Sequence, residues 1–261
     1  DTIGKRVTLK KAGRNFKGLC PFHNEKTPSF IVSPERQTFH CFGCGKGGDI
    51  FSFIMDYGHM DFAEALEELA DVAGVKLERK PTDAPQQQLK TRLFEINHLA
   101  SEFYHYLLTR HRLGEKALDY LKHRGISGKS MDTFMLGYSP QGWDGLYKFL
   151  RKKGYDDATL ITAGLVTAGR RLFDRFRGRV MFTLKDHRGN VVGFAGRQLE
   201  KNDREGKYIN TAETPVYIKS NVLYGLDVTK GAIQKENEAI VMEGEIDLIS
   251  SFQAGIGNVV A

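Results

Sequence analysis

Two short Cys/His pairs constrain the fold of this chain more than any other feature. Cys20 and His23, then Cys41 and Cys44, form the pattern C-x2-H-x17-C-x2-C, and the sequence has no other cysteine. Two residues between ligands place both side chains of a pair on one side of a tight turn, and thiolates with an imidazole suit tetrahedral Zn2+. Four protein ligands close the coordination sphere, so we expect one structural zinc ion per chain rather than a hydrolytic site. The alternative is three buried cysteines beside an unrelated histidine.

His40 is a rival for the histidine position because it adjoins the second pair. It directly precedes Cys41 in a stretch that reads as a strand, where successive side chains point to opposite faces. His40 is therefore expected to point away from the metal, and we favour His23.

The charge balance of the chain favours a polyanionic partner. Lys and Arg total 38 against 32 Asp and Glu, which gives a net charge of +6 over 261 residues. Such an excess attracts nucleic acid, although plain solubility is an equal explanation. No apolar run approaches the ~20 residues that span a bilayer, so no membrane partner is expected. Thiols reserved for a metal fit a reducing cytoplasm.

Periodicity divides the sequence into a small first domain and a larger second one. Alternating strands carry the two Cys/His pairs and two amphipathic helices follow, so residues 1–80 are predicted to form a zinc-ribbon domain. Residues 81–88 contain two prolines and three glutamines and are predicted to form a linker. Residues 89–236 read as helices followed by a β-hairpin, and residues 237–261 as the start of a βαβ unit. The chain is therefore predicted to be an α+β multidomain protein.

Arginines crowd the middle of the second domain. Arg175, Arg177 and Arg179 alternate, so an extended backbone would place all three on one face. Guanidinium groups bind phosphate oxygens bidentately, and the aromatic residues interleaved with them can stack on bases. A solvated strand edge protected by charge is the alternative.

Carboxylates flank a glycine near the end of the sequence. Glu243-Gly-Glu-Ile-Asp247 follows a buried strand and precedes an amphipathic helix, at the strand end where open α/β sheets place their sites. Gly244 permits a sharp turn, so Glu243 and Asp247 can face one Mg2+ or Mn2+ ion, which takes carboxylate oxygens, waters and substrate phosphates as ligands. Acidic residues also begin helices simply because they favour the helix dipole.

The chain resembles the bacterial DnaG-type primases over essentially its whole length. The segment around the two Cys/His pairs looks like the zinc domain of that family nearly throughout. R-F-R-G-R-V-M-F from Arg175, G-F-A-G-R ending at Arg197, K-Y-I-N-T-A-E-T-P from Lys207 and K-S-N-V-L-Y-G-L from Lys219 resemble the basic motifs of its polymerase domain. V-M-E-G-E-I-D resembles the first motif of a TOPRIM fold, so the fold expected is a zinc ribbon followed by a mixed α/β polymerase domain that ends in the start of a TOPRIM fold.

This resemblance implies a DNA-directed RNA polymerase that makes short primers from ribonucleoside triphosphates on single-stranded DNA for a replicative helicase. It implies that Glu243 and Asp247 hold catalytic Mg2+ or Mn2+ and that the four Cys/His residues hold zinc. Residues implied to guide the template or bind nucleotide phosphates are Arg124, Arg175, Arg177, Arg197, Lys207, Asn210 and Lys219. Basic residues near the zinc pairs are candidate template contacts, with solvated surface as an equal alternative: Arg14, Lys17 and Lys26.

The sequence departs from the family pattern in places. Glu245 stands where the family usually has a non-acidic residue, and the sequence begins without Met and stops before the next acidic motif, a D-x-D. The helicase-binding carboxyl-terminal region is also absent, so we expect a fragment with little polymerase activity alone, because the chemistry needs those further carboxylates. We expect a monomer in the bacterial cytoplasm, at replication forks in the nucleoid. A non-catalytic zinc-ribbon module that binds single-stranded DNA and a TOPRIM nuclease remain alternatives.

Overall fold

The chain divides into two compact units, Asp1–Pro81 and Thr82–Ala261, here called unit 1 and unit 2. The structure, a computed structural model, describes residues 2–58, 60, 62–77, 84–200 and 206–261. Across those residues, no helix is both long enough and apolar enough to cross a membrane.

Unit 1 is built on a five-stranded antiparallel sheet in which each strand pairs with the next one along the chain. β1 and β2 form a hairpin that turns at Gly13, which has a φ of 63°, a left-handed conformation that favours glycine. Two helices follow the sheet. The elements are β1 (Lys10–Ala12), β2 (Asn15–Gly18), β3 (Phe30–Ser33), β4 (Thr38–Cys41), β5 (Gly47–Gly48), α1 (Ile50–Gly58) and α2 (Phe62–Ala73).

Aromatic rings form the core of unit 1. Phe30 and Phe39 on adjacent strands and Phe53 on α1 are almost fully buried, and their ring centroids lie 5.4, 5.5 and 6.0 Å apart. Cys20 and Cys41 belong to the same buried cluster. A unit this small buries limited apolar surface, so a metal held by those cysteines would add folding free energy where it is most needed.

Unit 2 combines helices with an antiparallel sheet and ends in a parallel strand pair. Its helices are α3 (Ala84–Arg110), α4 (Glu115–His123), α5 (Gly128–Thr133), α6 (Gly145–Lys152), α7 (Asp157–Thr162), α8 (Leu226–Glu236) and α9 (Glu245–Gln253), with 3-10 turns at Arg112–Gly114 and Lys219–Asn221. Its strands are β6 (Gly137–Ser139), β7 (Val166–Thr167), β8 (Phe173–Asp174), β9 (Arg179–Lys185), β10 (Val191–Gln198), β11 (Tyr208–Asn210), β12 (Ile240–Val241) and β13 (Val259–Val260).

The strands of unit 2 pair in three groups. β11, β10, β9 and β6 form an antiparallel sheet in that order, and β7 pairs with β8. β12 and β13 pair in parallel, and α9 connects them, as the sequence predicts for a βαβ unit. Residues 243–247, here called the acidic turn, follow β12 and enter the first turn of α9, at the carboxyl end of the first parallel strand.

The two faces of the four-stranded sheet support two separate cores. Val180 and Phe182 belong to one buried cluster, whereas Met181 between them belongs to the other, because successive strand side chains point to opposite faces. α3 contributes to both clusters, with Tyr104 in the second and Leu108 in the first.

The predicted linker, residues 81–88, is wrong for its last five residues. α3 begins at Ala84, so residues 84–88 are helical, while residues 81–83 lie outside the described part of the chain. Alanine and glutamine are good helix formers, and Pro85 falls in the first turn, where its missing N–H breaks no intrahelical hydrogen bond. A high content of proline and glutamine is therefore not enough to predict an unstructured segment.

Helix α6 is capped by a residue that is distant in sequence. Asp144 stands at the N-cap position, but its side chain makes no capping hydrogen bond within the described residues. The carboxylate of Asp174, on β8, instead accepts the N–H groups of Leu146 and Tyr147 at 2.9 and 2.8 Å. Burial raises the pKa of Asp174 to about 6, although these N–H groups favour the charged form.

Candidate functional site

The four Cys/His residues predicted from the sequence come together in unit 1. One ligand atom from each of Cys20, His23, Cys41 and Cys44 lies within 4.8 Å of all the others. The Sγ atoms of Cys20 and Cys44 are 3.8 Å apart, and Cys41 Sγ is 3.8 Å from His23 Nδ1. Two sulfurs at about 2.3 Å from a tetrahedral zinc would be about 3.8 Å apart, so the cluster fits zinc in donor type and in spacing.

Strand ends and a glycine bring these ligands together. Cys20 follows β2, Cys41 ends β4, and Cys44 lies in the turn that leads to β5. Gly43 allows the imidazole of His23 to approach the backbone, because a Cβ there would lie 2.6 Å from His23 Nε2. The glycine in C-F-G-C is therefore required by the packing of the histidine.

His40 lies outside the cluster. It alternates with the buried Phe39 and Cys41 on β4, is exposed, and packs its ring against Phe42 with a centroid distance of 4.6 Å. The side-chain alternation that argued against His40 from the sequence agrees with this position.

The thiols of the cluster differ in their readiness to ionise before a metal binds. Burial raises the pKa of Cys20 to about 12. At Cys41 burial also opposes ionisation, but hydrogen bonds that include those from the backbone N–H groups of Cys44 and Gly43 lower the pKa to about 6. A metal that binds here therefore meets a thiolate at Cys41 and must displace the proton of Cys20.

The candidate template contacts of unit 1 lie on its surface. Arg14, Lys17 and Lys26 are exposed. Arg14 approaches Glu35 at 3.7 Å in a pair whose two side chains are both solvated, and Lys17 pairs opposite Lys10 across the β1–β2 hairpin. Solvated lysines and arginines of this kind are available to a phosphate backbone but carry no sequence-specific geometry.

The three alternating arginines do not share one face, which corrects the prediction. Arg179 is fully buried and donates to the carbonyls of Gly196 and Gly206 at 3.1 and 3.0 Å. Gly178 has a φ of 61°, so the backbone turns between Arg177 and Arg179 instead of remaining extended. Arg179 is therefore a structural residue of the sheet rather than a phosphate ligand.

Arg175 and Arg177 diverge from each other as well. The guanidinium of Arg175 is half-buried and donates to the carbonyl of Asn210 at 2.8 and 3.1 Å, and burial lowers its pKa. Arg177 lies over the ring of Trp143 at 4.1 Å and over Phe173 at 5.3 Å. Trp143 is 56% exposed; no motif marks it in the sequence, and its being the single tryptophan is the only signal there.

The remaining basic candidates lie on loops and strand ends of unit 2. Arg197, on β10, stacks over the ring of Tyr120 at 4.4 Å, and Lys207 lies 5.9 Å from the ring of Tyr208 on β11. Lys219 is exposed in a 3-10 turn, and the exposed Arg124 follows α4.

The acidic turn presents two of its three carboxylates to solvent. Glu243 and Asp247 are exposed, and Asp247 Oδ2 lies 3.5 Å from the point that a Cβ on Gly244 would occupy, so this carboxylate folds back over the turn. Glu245 points inward; burial raises its pKa, and the neighbouring Asp247 raises it further. The acidic residue that departs from the family pattern is thus not on the same side as the other two.

Two family models match the chain. One described as the CHC2 zinc finger matches residues 1–84, and one described as the DNA primase catalytic core, N-terminal domain, matches residues 103–230. The DNA primase of Listeria monocytogenes serovar 1/2a is 42% identical over 270 residues, which cover 100% of this chain and 43% of that protein. The chain therefore spans less than half the length of this relative.

Solved structures of similar proteins support the architecture. The Aquifex aeolicus primase, solved as its zinc binding and RNA polymerase domains, is 37% identical with a TM-score of 0.60, covering 100% of this chain and 62% of that one. The RNA polymerase domain of Mycobacterium tuberculosis primase DnaG, in complex with a double-stranded DNA oligomer with a 6-nucleotide overhang, is 38% identical with a TM-score of 0.63, covering 66% and 54%. The predicted order of a zinc ribbon followed by a mixed α/β core is confirmed.

Proposed function

Since the chain belongs to the DnaG-type family of bacterial DNA primases, we propose that the protein is a DNA-directed RNA polymerase that makes short primers from ribonucleoside triphosphates on single-stranded DNA. The proposal concerns the whole protein, because the chain spans 43% of its Listeria relative. A replicative helicase is the proposed partner, through a region outside this sequence.

The presence of the acidic turn and of the basic residues around strand β11 in one compact unit carries the proposal. Burial raises the pKa of Tyr208, Arg197 opposes that rise and Glu245 reinforces it, so both charged groups lie within electrostatic reach of one ring. Lys207 adjoins the same ring, and Asn210 is held by Arg175. Glu245 of the acidic turn is thus within electrostatic reach of β11, which supports a site that combines carboxylates for a metal with cations for phosphates, as transfer of a nucleotidyl group requires.

Glu243 and Asp247 are the proposed ligands of a catalytic Mg2+ or Mn2+ ion. Mg2+ is usually bound by one or two carboxylates, with waters and substrate phosphates completing the coordination shell. Two exposed carboxylates joined by a glycine turn fit this mode of binding. When bound, the ion would supply Lewis-acid stabilisation of the charge that develops on the triphosphate. The cations proposed to orient template and nucleotide beside it are Arg124, Arg175, Arg177, Arg197, Lys207 and Lys219, together with the amide of Asn210.

Unit 1 has a separate proposed role. Cys20, His23, Cys41 and Cys44 hold one zinc ion that stabilises the ribbon, and four protein ligands leave no position for a reacting water. The ribbon would then present Arg14, Lys17 and Lys26 to the template strand.

A substitution in the full-length protein tests the catalytic assignment. Glu243→Gln should reduce ribonucleotide incorporation on a single-stranded template by at least about 100-fold, because a metal contributes several kcal/mol to such chemistry. Template binding, followed by fluorescence anisotropy, should be unchanged. Glu238→Gln, an exposed site that precedes the same strand, is the matched control and should retain activity.

Three outcomes would contradict the proposal. Normal synthesis by the Glu243→Gln protein would remove Glu243 from the site. Template binding by the full-length wild type without any synthesis would favour a binding module, and Mg2+-dependent degradation of DNA would favour a nuclease.

A further inference from the structure

We infer that Glu25, which lies between the Cys/His pairs in sequence, is a positioning residue that orients the zinc-binding histidine and joins the two pairs into one site. The inference rests on the proposed zinc ligands and extends them to a residue that coordinates nothing itself. Its side chain is only 10% exposed, although glutamate is a residue type that is rarely buried without partners.

The carboxylate of Glu25 is fully engaged by neighbouring donors. Oε1 accepts the backbone N–H groups of Cys20 at 2.7 Å and Ser29 at 3.0 Å. Oε2 accepts the Ser29 hydroxyl at 2.5 Å and faces His23 Nε2 at 3.4 Å. Each carboxylate oxygen thus contacts two donors, and two of the four belong to residues that supply metal ligands.

The contact with His23 favours one ring nitrogen as the metal ligand. An ionised carboxylate has only acceptor oxygens, so its approach to Nε2 at 3.4 Å favours the tautomer that carries the proton on Nε2. The lone pair is then left on Nδ1, and Nδ1 is the atom that faces Cys41 Sγ at 3.8 Å. A carboxylate behind a metal-binding histidine fixes both the tautomer and the ring orientation in this way.

The contacts with Ser29 extend the same carboxylate to the second pair. The Ser29 hydroxyl lies 3.2 Å from Cys41 Sγ and accepts the backbone N–H of Gly43 at 3.2 Å. A hydroxyl donates one proton, and the shorter contact assigns that proton to Glu25. Glu25 therefore links the backbone N–H of Cys20 with the imidazole of His23. Through Ser29 it also reaches the turn that carries Cys41 and Cys44.

The alternative is that Glu25 only closes the turn from residue 25 to residue 29 and does not affect metal binding. The two accounts differ in zinc affinity, because a turn residue would alter folding without altering the geometry of His23. Partners behind a metal ligand typically contribute about 10- to 100-fold in metal affinity.

Glu25→Gln in the full chain separates the two accounts. With its amide oxygen in the Oε1 position, glutamine still accepts both backbone N–H groups, but its NH2 group then faces the N–H of His23. We expect zinc affinity, measured by competition with a chromophoric chelator, to fall by about 10- to 100-fold. The thiolate-to-metal absorption of the Co2+-substituted protein should change as well, since His23 is no longer held.

Two further variants complete the design. Ser29→Ala breaks only the branch toward Cys41, so its affinity loss should be smaller than that of Glu25→Gln. Glu35→Gln, on the exposed surface of the same unit, is the matched control and should bind zinc as the wild type does.

The inference is wrong if Glu25→Gln binds zinc within twofold of the wild type, or if Ser29→Ala loses more affinity than Glu25→Gln. A Glu25→Gln protein whose unit 1 stays unfolded at saturating Co2+ also contradicts it, because a positioning residue lowers affinity while the ligands remain. A wild type that binds no zinc would instead reject the proposed ligand set, so the two failures are distinguishable.

Discussion

Replacing Asp174 with asparagine is expected to change how the stability of unit 2 depends on pH. Asp174 is 5% exposed and caps α6 through the N–H groups of Leu146 and Tyr147. Burial raises its pKa from an ordinary 3.8 to about 6, so the folded state binds this proton more tightly than the unfolded state does. Raising the pH through this window therefore lowers the free energy of unfolding.

The size of the effect follows from that rise in pKa. A change from 3.8 to about 6 corresponds to about 3 kcal/mol, at about 1.4 kcal/mol per pKa unit. The destabilisation caused by the buried Asp174 charge is absent below pH 3.8 and complete above about pH 6. About half of this destabilisation develops between about pH 5 and pH 7. Asparagine carries no charge at any of these pH values, and the hydrogen bond that it loses does not vary with pH.

The single tryptophan of the chain provides the assay. Trp143 belongs to unit 2, and its carbonyl accepts the backbone N–H of Asp174 at 2.7 Å. Urea unfolding followed by Trp143 fluorescence at pH 5, 6 and 7 should show the wild type losing about 1.4 kcal/mol relative to Asp174→Asn. Asp119→Asn, at an exposed position on α4, is the control and should track the wild type.

The reasoning about Asp174 would be refuted by a wild-type minus variant difference that is the same at pH 5 and pH 7. That result would mean that the N–H groups of α6 stabilise the carboxylate enough to cancel the effect of burial.

Zinc removal should unfold unit 1 alone, because the metal supplies part of its folding free energy. The far-UV circular dichroism signal should fall while Trp143 fluorescence stays constant. A chelated protein that keeps the circular dichroism signal of unit 1 would contradict a structural zinc. Arg179 and Arg177 should respond in opposite ways. Arg179→Met should cost unit 2 about 3 kcal/mol in urea unfolding, because buried carbonyls lose a charged donor. Arg177→Ala should cost at most about 1 kcal/mol and should reduce the salt dependence of DNA binding by about one ion. Equal destabilisation by the two substitutions would contradict their different burial.

Sequence patterns predicted the parts of this molecule that depend on local spacing. The C-x2-H and C-x2-C pairs converge because each pair is set by one turn, and the period-two stretch after Arg179 forms the β9–β10 hairpin. The parallel pairing of β12 with β13 follows from an amphipathic helix between two apolar segments, although Val241 on β12 is exposed and the strand predicted as buried is not. In each case the signal lies in the spacing of residues that are close in sequence.

The failures involve backbone turns and distant partners. Alternation suggested one face for three arginines, but the backbone turns at Gly178, which has a left-handed conformation, before Arg179. Glycine adopts both left-handed and right-handed conformations, so its presence in the sequence does not show which one occurs. The cap that Asp174 provides to α6 joins residues 28 positions apart, so no local pattern contains it. No sequence pattern marks Glu25, because a single glutamate between the metal ligands belongs to no repeated spacing.

The length of α3 has a consequence for how unit 2 unfolds. The 27 residues of this helix extend about 40 Å, and its side chains enter the cores on both faces of the sheet, Tyr104 in one and Leu108 in the other. Neither core can lose its packing without exposing apolar surface on the same helix. Unit 2 should therefore unfold cooperatively, in a single transition that different spectroscopic probes report at the same denaturant concentration.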